Sequence, residues 1–289
     1  MTHADRQETL AELRREIDGL DSQMHQLLIK RGEIIDRLIE AKARQTGAVE
    51  GASAFRPGRE ADMMRALVSR HSGHLPLDTV ESIWRIIIST FTYVQSPYGV
   101  HADVSAGDAP MRDGCRFHFG FTVPYEPEPN AAAVVAAVAA SAGDLGVAPV
   151  APNPASPGWR RLLRAPGAPK IIARLPFVER PDHPAGLPLF VIARPLADAA
   201  AREIVVYDLD LAGAPAPDGR ALAALGAEAA PALPGEDALL VFAPGTLAPQ
   251  AIADAAGLPL SLLHEIGGHA ARCEAEEARR DPAPFLAAQ

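Results

Sequence analysis

Proline divides this chain into two kinds of polymer. Only Pro57, Pro76 and Pro97 fall in the first hundred residues, and the other 24 of its 27 prolines follow. Proline lacks a backbone donor and its ring clashes with the preceding helical turn, so the first stretch can sustain long helices and the second cannot. The change falls in SPYGVHADVSAGDAPMR, residues 96–112, which reads as a polar connection. With 289 residues there is material for two domains, each able to bury a core. The expected organisation is a helical domain over 1–101, a linker over 102–112 and an α/β domain over 113–289.

Within the first part, residues 7–46 carry one sustained helical period. Leu13, Ile17, Leu20, Met24, Leu27, Leu28, Ile34, Ile35, Leu38 and Ile39 recur at spacings of three and four, interrupted only by Gly19 and Gly32. Forty residues at the helical rise make a rod of roughly 60 Å. A compact 100-residue domain measures only about 26 Å across. Such a rod must cover its apolar stripe with something beyond its own domain, and a second copy of the chain is the expected partner. Two shorter helices follow. Pro57–His71 begins with proline in its first turn, and Leu77–Gln95 starts after Pro76 and stops before Pro97. The centre of the latter, IWRIIISTFTYV, is apolar almost all round, which predicts a buried helix.

The second part alternates short apolar runs with helical stretches. Arg116–Val123, Asp144–Val150, Lys170–Ile172, Leu187–Ile192, Glu203–Leu211, Ala238–Ala243 and Leu260–Ile266 read as strands, with helices at Asn130–Ala140 and Leu247–Ala256. That alternation predicts an α/β fold.

Charge excludes one class of function. Residues 1–100 carry 14 acids and 13 bases, and the remainder 22 acids and 14 bases, so neither part has the basic excess that nucleic-acid binding needs. The opening MTHADRQETL has no apolar core for a signal sequence, and the alanine-rich run Ala131–Ala140 is too short to span a bilayer. Cys115 and Cys273 are far apart and form no metal-ligand spacing, and so few thiols suit a reducing cytoplasm.

The residues that point to chemistry are cations on the apolar side of the long helix. Arg31 continues the seam of Leu13, Leu20, Met24, Leu27 and Leu38, Lys42 lies seven residues beyond Ile35, and Arg14 faces the same broad side. A buried unpaired cation costs several kcal/mol. These three therefore either pair with internal acids such as Asp21 and Glu60 or await an anionic ligand.

LRREIDGLDSQMHQLLIKRGEIIDRLIEAK (13–42), FRPGRE (55–60) and ESIWRIIISTFTYVQSP (81–97) together resemble the helical chorismate mutase domain, including the one that opens bacterial P-proteins. The resemblance spans residues 8–100. It implies a dimeric three-helix bundle with a long first helix and active sites shared between two copies. It further implies an isomerase of aromatic amino-acid biosynthesis that rearranges chorismate to prephenate. The family's pocket residues fall here on Arg14, Arg31, Lys42, Arg59, Glu60 and Gln95. Chorismate is a small dicarboxylate, and its rearrangement is intramolecular, so no cofactor and no metal is expected. Arg14, Arg31 and Arg59 would grip carboxylates with their planar forks. Lys42 and Gln95 would donate to the ether oxygen as charge builds there, and Glu60 would accept from the ring hydroxyl. Phe91 departs from the serine common at its position, for which Ser89 or Thr90 could substitute, and Arg56 stands where some members carry an acid. Isochorismate-pyruvate lyase, which shares the fold and the cationic pocket, and a non-catalytic sensor of an aromatic-pathway acid remain alternative readings.

Past residue 113, DLGVAPVAPN and LPLFVIAR resemble the dehydratase half of P-proteins in their apolar frame alone. Pro188 and Leu189 stand at that family's Thr-Arg positions and its Glu-Asn pair is missing, so the resemblance implies a degenerate, inactive version. HEIGGH, residues 264–269, spaces its histidines five apart rather than the four a zinc-binding helix requires, with Gly267–Gly268 read as a turn. His25, His71 and His74 are expected on the surface, Trp84 in the helical core, and Trp159 against the second domain.

Overall fold

The computed structural model describes residues 9–46, 55–195, 201–230 and 236–274. The chain divides into two compact units, Met1–Glu50 and Gly51–Gln289. The first contains a single 37-residue helix, α1 (Leu10–Thr46), close to the expected span; the expected start at residue 7 lies outside the described residues. Its entry is a capping box. The Thr9 amide and hydroxyl donate to Glu12 Oε2 at 2.9 and 2.8 Å, and the Glu12 amide donates back to the Thr9 hydroxyl at 3.3 Å. These bonds hold the exposed Glu12 carboxyl below its usual range. Along α1 the apolar stripe is open: Ile17 is 56 %, Leu20 53 % and Leu27 64 % exposed.

The second unit begins with α2 (Pro57–Arg70) and α3 (Leu77–Gln95), both close to expectation, with Pro57 in the first turn as predicted. There follow β1 (Val100–Asp103), α4 (Asp108–Phe119), β2 (Tyr125–Glu128), α5 (Ala131–Ala140), β3 (Leu145–Pro149), a 3-10 helix at Trp159–Leu163, β4 (Lys170–Leu175), β5 (Val178–Glu179) and β6 (Leu189–Ala193). The chain then forms β7 (Ile204–Asp210), α6 (Gly219–Ala223), β8 (Glu228–Ala230), β9 (Ala238–Pro244), α7 (Pro249–Ala256), β10 (Leu263–His269) and β11 (Cys273–Glu274). Nine strands make one mixed sheet in the order β2-β1-β3-β6-β4-β10-β7-β9-β8, while β5 and β11 pair separately. From β7 to β10 the chain runs βαββαβ with strand order β10-β7-β9-β8, all neighbours antiparallel.

Side-chain alternation distributes the strands over two faces. Val147 and Val191 lie in the core with Met64, Val68 and Ile88 of α2 and α3 and Phe119 of α4, whereas Ala148, Phe190 and Ile192 pack with α5 and Trp159 on the opposite side. A third cluster joins Val205, Tyr207 and Val241 to Leu222 of α6 and Ile252 of α7. α2 and α3 thus share a hydrophobic core with the sheet, and the contact-based division of the chain falls near residue 50.

Several expectations change. Residues 102–112, read as a linker, hold the end of β1 and the first turns of α4. Buried Val100 and Ala102 pair β1 with β2 and β3, a role the polar composition of the stretch conceals. Arg116–Val123, read as a strand, is the last turn of α4 and the loop after it, because Met111, Cys115 and Phe119, four apart, bury one helical face. Trp84 is 37 % exposed rather than buried, whereas Trp159 packs beneath the sheet as expected. Gly267 and Gly268 lie within β10, not in a turn. There the strand bulges between Glu265 and Gly267, and Gly267 pairs with Ile171 of β4, stitching the two halves of the sheet together. Its φ is +149°, and a Cβ would stand 2.1 Å from the Ile171 carbonyl oxygen, so only glycine fits.

Candidate functional site

On α1, Arg31, Ile35, Ile39 and Lys42 follow one another at four, four and three residues, one strip of the helix. Arg31 and Lys42 stand about 16 Å apart along the axis and within roughly 20° around it. Arg14 is about 25 Å from Arg31 along the same axis. Arg31 is half-buried, and Arg14 and Lys42 are exposed. Arg31 and Lys42 lie on the side of α1 that carries the exposed Leu20 and Leu27.

In the second unit, α2 places Arg59 on its exposed side and Glu60 on its buried one. Glu60 is 4 % exposed, and its Oε2 accepts from Arg85 Nη1 at 2.6 Å. Arg85, wholly buried in the middle of α3, also donates through Nη2 to the His118 carbonyl at 3.2 Å and lies over the Phe177 ring at 5.1 Å. Burial pushes the Glu60 carboxyl above its usual range, and the guanidinium pulls against it. The carboxylate expected to meet a ring hydroxyl is therefore engaged by a cation of the same unit. Gln95 is half-buried at the end of α3, and its Nε2 donates to the Phe91 carbonyl at 3.0 Å. Ser89, offered as a substitute for the missing serine, is buried and donates to the Phe119 carbonyl at 2.6 Å.

α3 has a face that sequence reading missed. Glu81, Arg85, Ser89 and Thr92 are buried, while Ile83, Trp84, Ile86 and Val94 are 37–51 % exposed. Polar residues at 81, 85, 89 and 92 recur at helical spacing inside an apolar segment, and that periodicity was the available signal. Glu81 accepts from His183 Nε2 at 3.2 Å and from Arg180 Nη2 at 3.3 Å, which joins α3 to the loop after β5. His118, at the end of α4, is wholly buried beside Arg85, stacked on His183 at 6.0 Å, and held neutral because burial drives its pKa well below the ordinary value. The two thiols are both buried, and burial raises Cys115 to about 12, far from reactivity.

His264 and His269, the histidines of HEIGGH, lie on β10, the first half-buried and the second buried, with His269 Nδ1 donating to the Ala270 carbonyl at 2.7 Å. Among the described residues, no group of three His, Cys, Asp or Glu side chains is placed to hold a metal, and no helix is long and apolar enough to cross a membrane.

The first unit thus offers a long helix with two cations on one strip, and the second opens with two shorter helices. Residues 13–96 match the family model for chorismate mutase type II, a span that takes in nearly all of α1 and all of α2 and α3. No curated protein and no solved structure matches the chain.

Proposed function

We propose that this chain is a chorismate mutase, converting chorismate to prephenate within its helical segment. The observation that carries the reading is the type II match over 13–96, a span that includes every residue assigned to the pocket. The strip of Arg31 and Lys42 supports it. Arg31 takes one carboxylate in its planar fork, with Arg59 in support. Lys42 and Gln95 donate to the ether oxygen, where negative charge develops as the C–O bond breaks. No nucleophile enters, since the enzyme holds one conformer of the substrate and stabilises its charge. Glu60 receives no catalytic role in this reading; its pair with Arg85 ties α2 to α3.

The active enzyme is a homodimer. The resemblance to the family gives Arg14 the part of the arginine that reaches into the partner copy's site, and its position about 25 Å along the rod from Arg31 is compatible with that part. The open apolar faces of α1 and α3 are the surfaces such a copy would cover. The α/β region acts as the platform that holds α2 and α3, without dehydratase activity.

The test is the loss of chorismate absorbance catalysed by the full chain, with prephenate identified as product. Lys42→Gln should lower kcat/KM about 100-fold or more, and Leu20→Asp should halve the mass seen by sedimentation. Binding of chorismate without turnover would point to the sensor, and release of pyruvate from isochorismate to the lyase.

A further inference from the structure

At one end of the βαββαβ module the head of β7 and the tail of β10 lie side by side, Ile204 paired with His269. Just outside that pair stand Glu203 and Ala271, and the Ala271 amide donates to Glu203 Oε2 at 2.9 Å. One residue of α2 holds both. Arg65 donates from Nη1 to Glu203 Oε1 at 3.0 Å and from Nη2 to Glu203 Oε2 at 2.6 Å, a two-pronged pair, and Nη2 also reaches the Ala271 carbonyl at 2.8 Å. The Arg65 side chain is only 10 % exposed. Burial raises the Glu203 carboxyl, and the bonds from Arg65 and the Ala271 amide more than offset it, leaving it below its usual range.

Two turns earlier on the same face of α2, a Cβ on Gly58 would lie 3.6 Å from the Ala201 Cβ, so this turn rests on the chain that leads into Glu203. That chain has little room to move. The Glu203 carbonyl accepts from the Gly245 amide at 2.8 Å, and a Cβ on Gly268 would stand 3.0 Å from the Ala201 carbonyl oxygen. Residues 201–203 thus touch α2 as well as the ends of β9 and β10. Arg59, next to Gly58, lies about 9 Å along the helix from Arg65. Asp62, which also accepts from Arg65 at 2.9 Å, belongs to α2 itself and ties nothing across this joint.

We propose that Glu203 is a positioning residue for the chorismate rearrangement: by locking Arg65 to Ala271 it seats α2 on the module and holds Arg59 where it meets a substrate carboxylate. The proposal rests on the mutase reading and adds to it a residue far outside the matched segment 13–96.

The experiment is steady-state kinetics of the full chain with chorismate. Glu203→Gln keeps the size of the side chain and deprives Arg65 of its carboxylate. It should raise KM about fivefold or more and leave kcat within about twofold, because Arg59 grips the substrate before and during the reaction alike. Loss of folded protein would instead lower kcat at an unchanged KM. Arg65→Lys, which keeps the charge without the fork, should behave like Glu203→Gln. Asp62→Asn, which spares the joint, should match the unaltered chain. In an Arg59→Gln background, Glu203→Gln should change KM by less than about twofold, since both act through one side chain. An unchanged KM in Glu203→Gln, an equal rise in Asp62→Asn, or fully multiplicative effects of Arg59→Gln and Glu203→Gln each overturns the proposal while the mutase reading stands. An unaltered chain without turnover overturns the mutase reading itself, and the assignment of Glu203 with it.

Discussion

At the scale of single residues, burial decides what each charge can do. Arg85 and Glu60 have no water to turn to, and each is tolerable because the other is there. Arg85→Met should cost about 3–5 kcal/mol in urea unfolding, since it strands a carboxylate, while Arg85→Met with Glu60→Leu should recover most of that loss. The sequence identified Glu60 as notable but not its partner, because a lone arginine inside IWRIII carries no mark of what it will face. His269 illustrates the same physics with a proton. Burial lowers its pKa from 6.5 to about 4, so the unfolded chain takes up a proton before the folded one does. Stability is then full above pH 6.5 and falls as the pH drops toward 4, by about 3 kcal/mol for this group. His269→Gln should flatten the slope of unfolding free energy between pH 7 and 4.5. His118, shifted the same way, will keep part of the acid dependence in that variant.

At the scale of elements, periodicity was legible wherever one face alone is apolar. α1, α2, α3, α5 and α7 and most of the central strands stand close to where spacing puts them. α4 was misread because Arg116–Val123 also alternates, and only the four-residue spacing of Met111, Cys115 and Phe119 against the sheet reveals the helix. α3 shows a subtler failure. An apolar composition suggested burial all round, yet its buried side is the one carrying Glu81, Arg85, Ser89 and Thr92. Hydrophobicity predicts that a face will be covered, but not whether this chain or another copy covers it. The glycines of β10 are an element-scale device. Gly267→Ala would drive a methyl group into the backbone of β4 where the two half-sheets meet. A loss of about 3 kcal/mol or more is expected in thermal or urea unfolding.

At the scale of the molecule, the helical segment that matches a chorismate mutase model does not form an independent body. Phe55, Met64, Val68 and Ile88 share one core with Val100, Leu145 and Val191 of the sheet. A fragment ending at residue 101 would leave that surface bare. Expressed alone, residues 1–101 should bind a dye such as ANS strongly and unfold without a cooperative transition, whereas the full chain should show a single sharp one. A fragment that folds cooperatively and stays free of dye would contradict the shared core. The proline transition near residue 100 marks a change of composition, and composition records which local conformations are possible rather than which surfaces meet.

What the sequence by itself determined is local: long helices where proline is scarce, strands where apolar residues alternate, a strip of cations at helical spacing, and the resemblance that those spacings carry. Its partner assignments were decided only by tertiary structure. Glu60 meets Arg85, Ser89 meets Phe119, Gly267 meets Ile171, and Arg180 meets Glu81. The reason is one of range. Helix and strand periods arise from neighbours three or four residues apart, whereas an ion pair between residues 60 and 85, or a strand pairing between 171 and 267, depends on chain closure that no short window of sequence records.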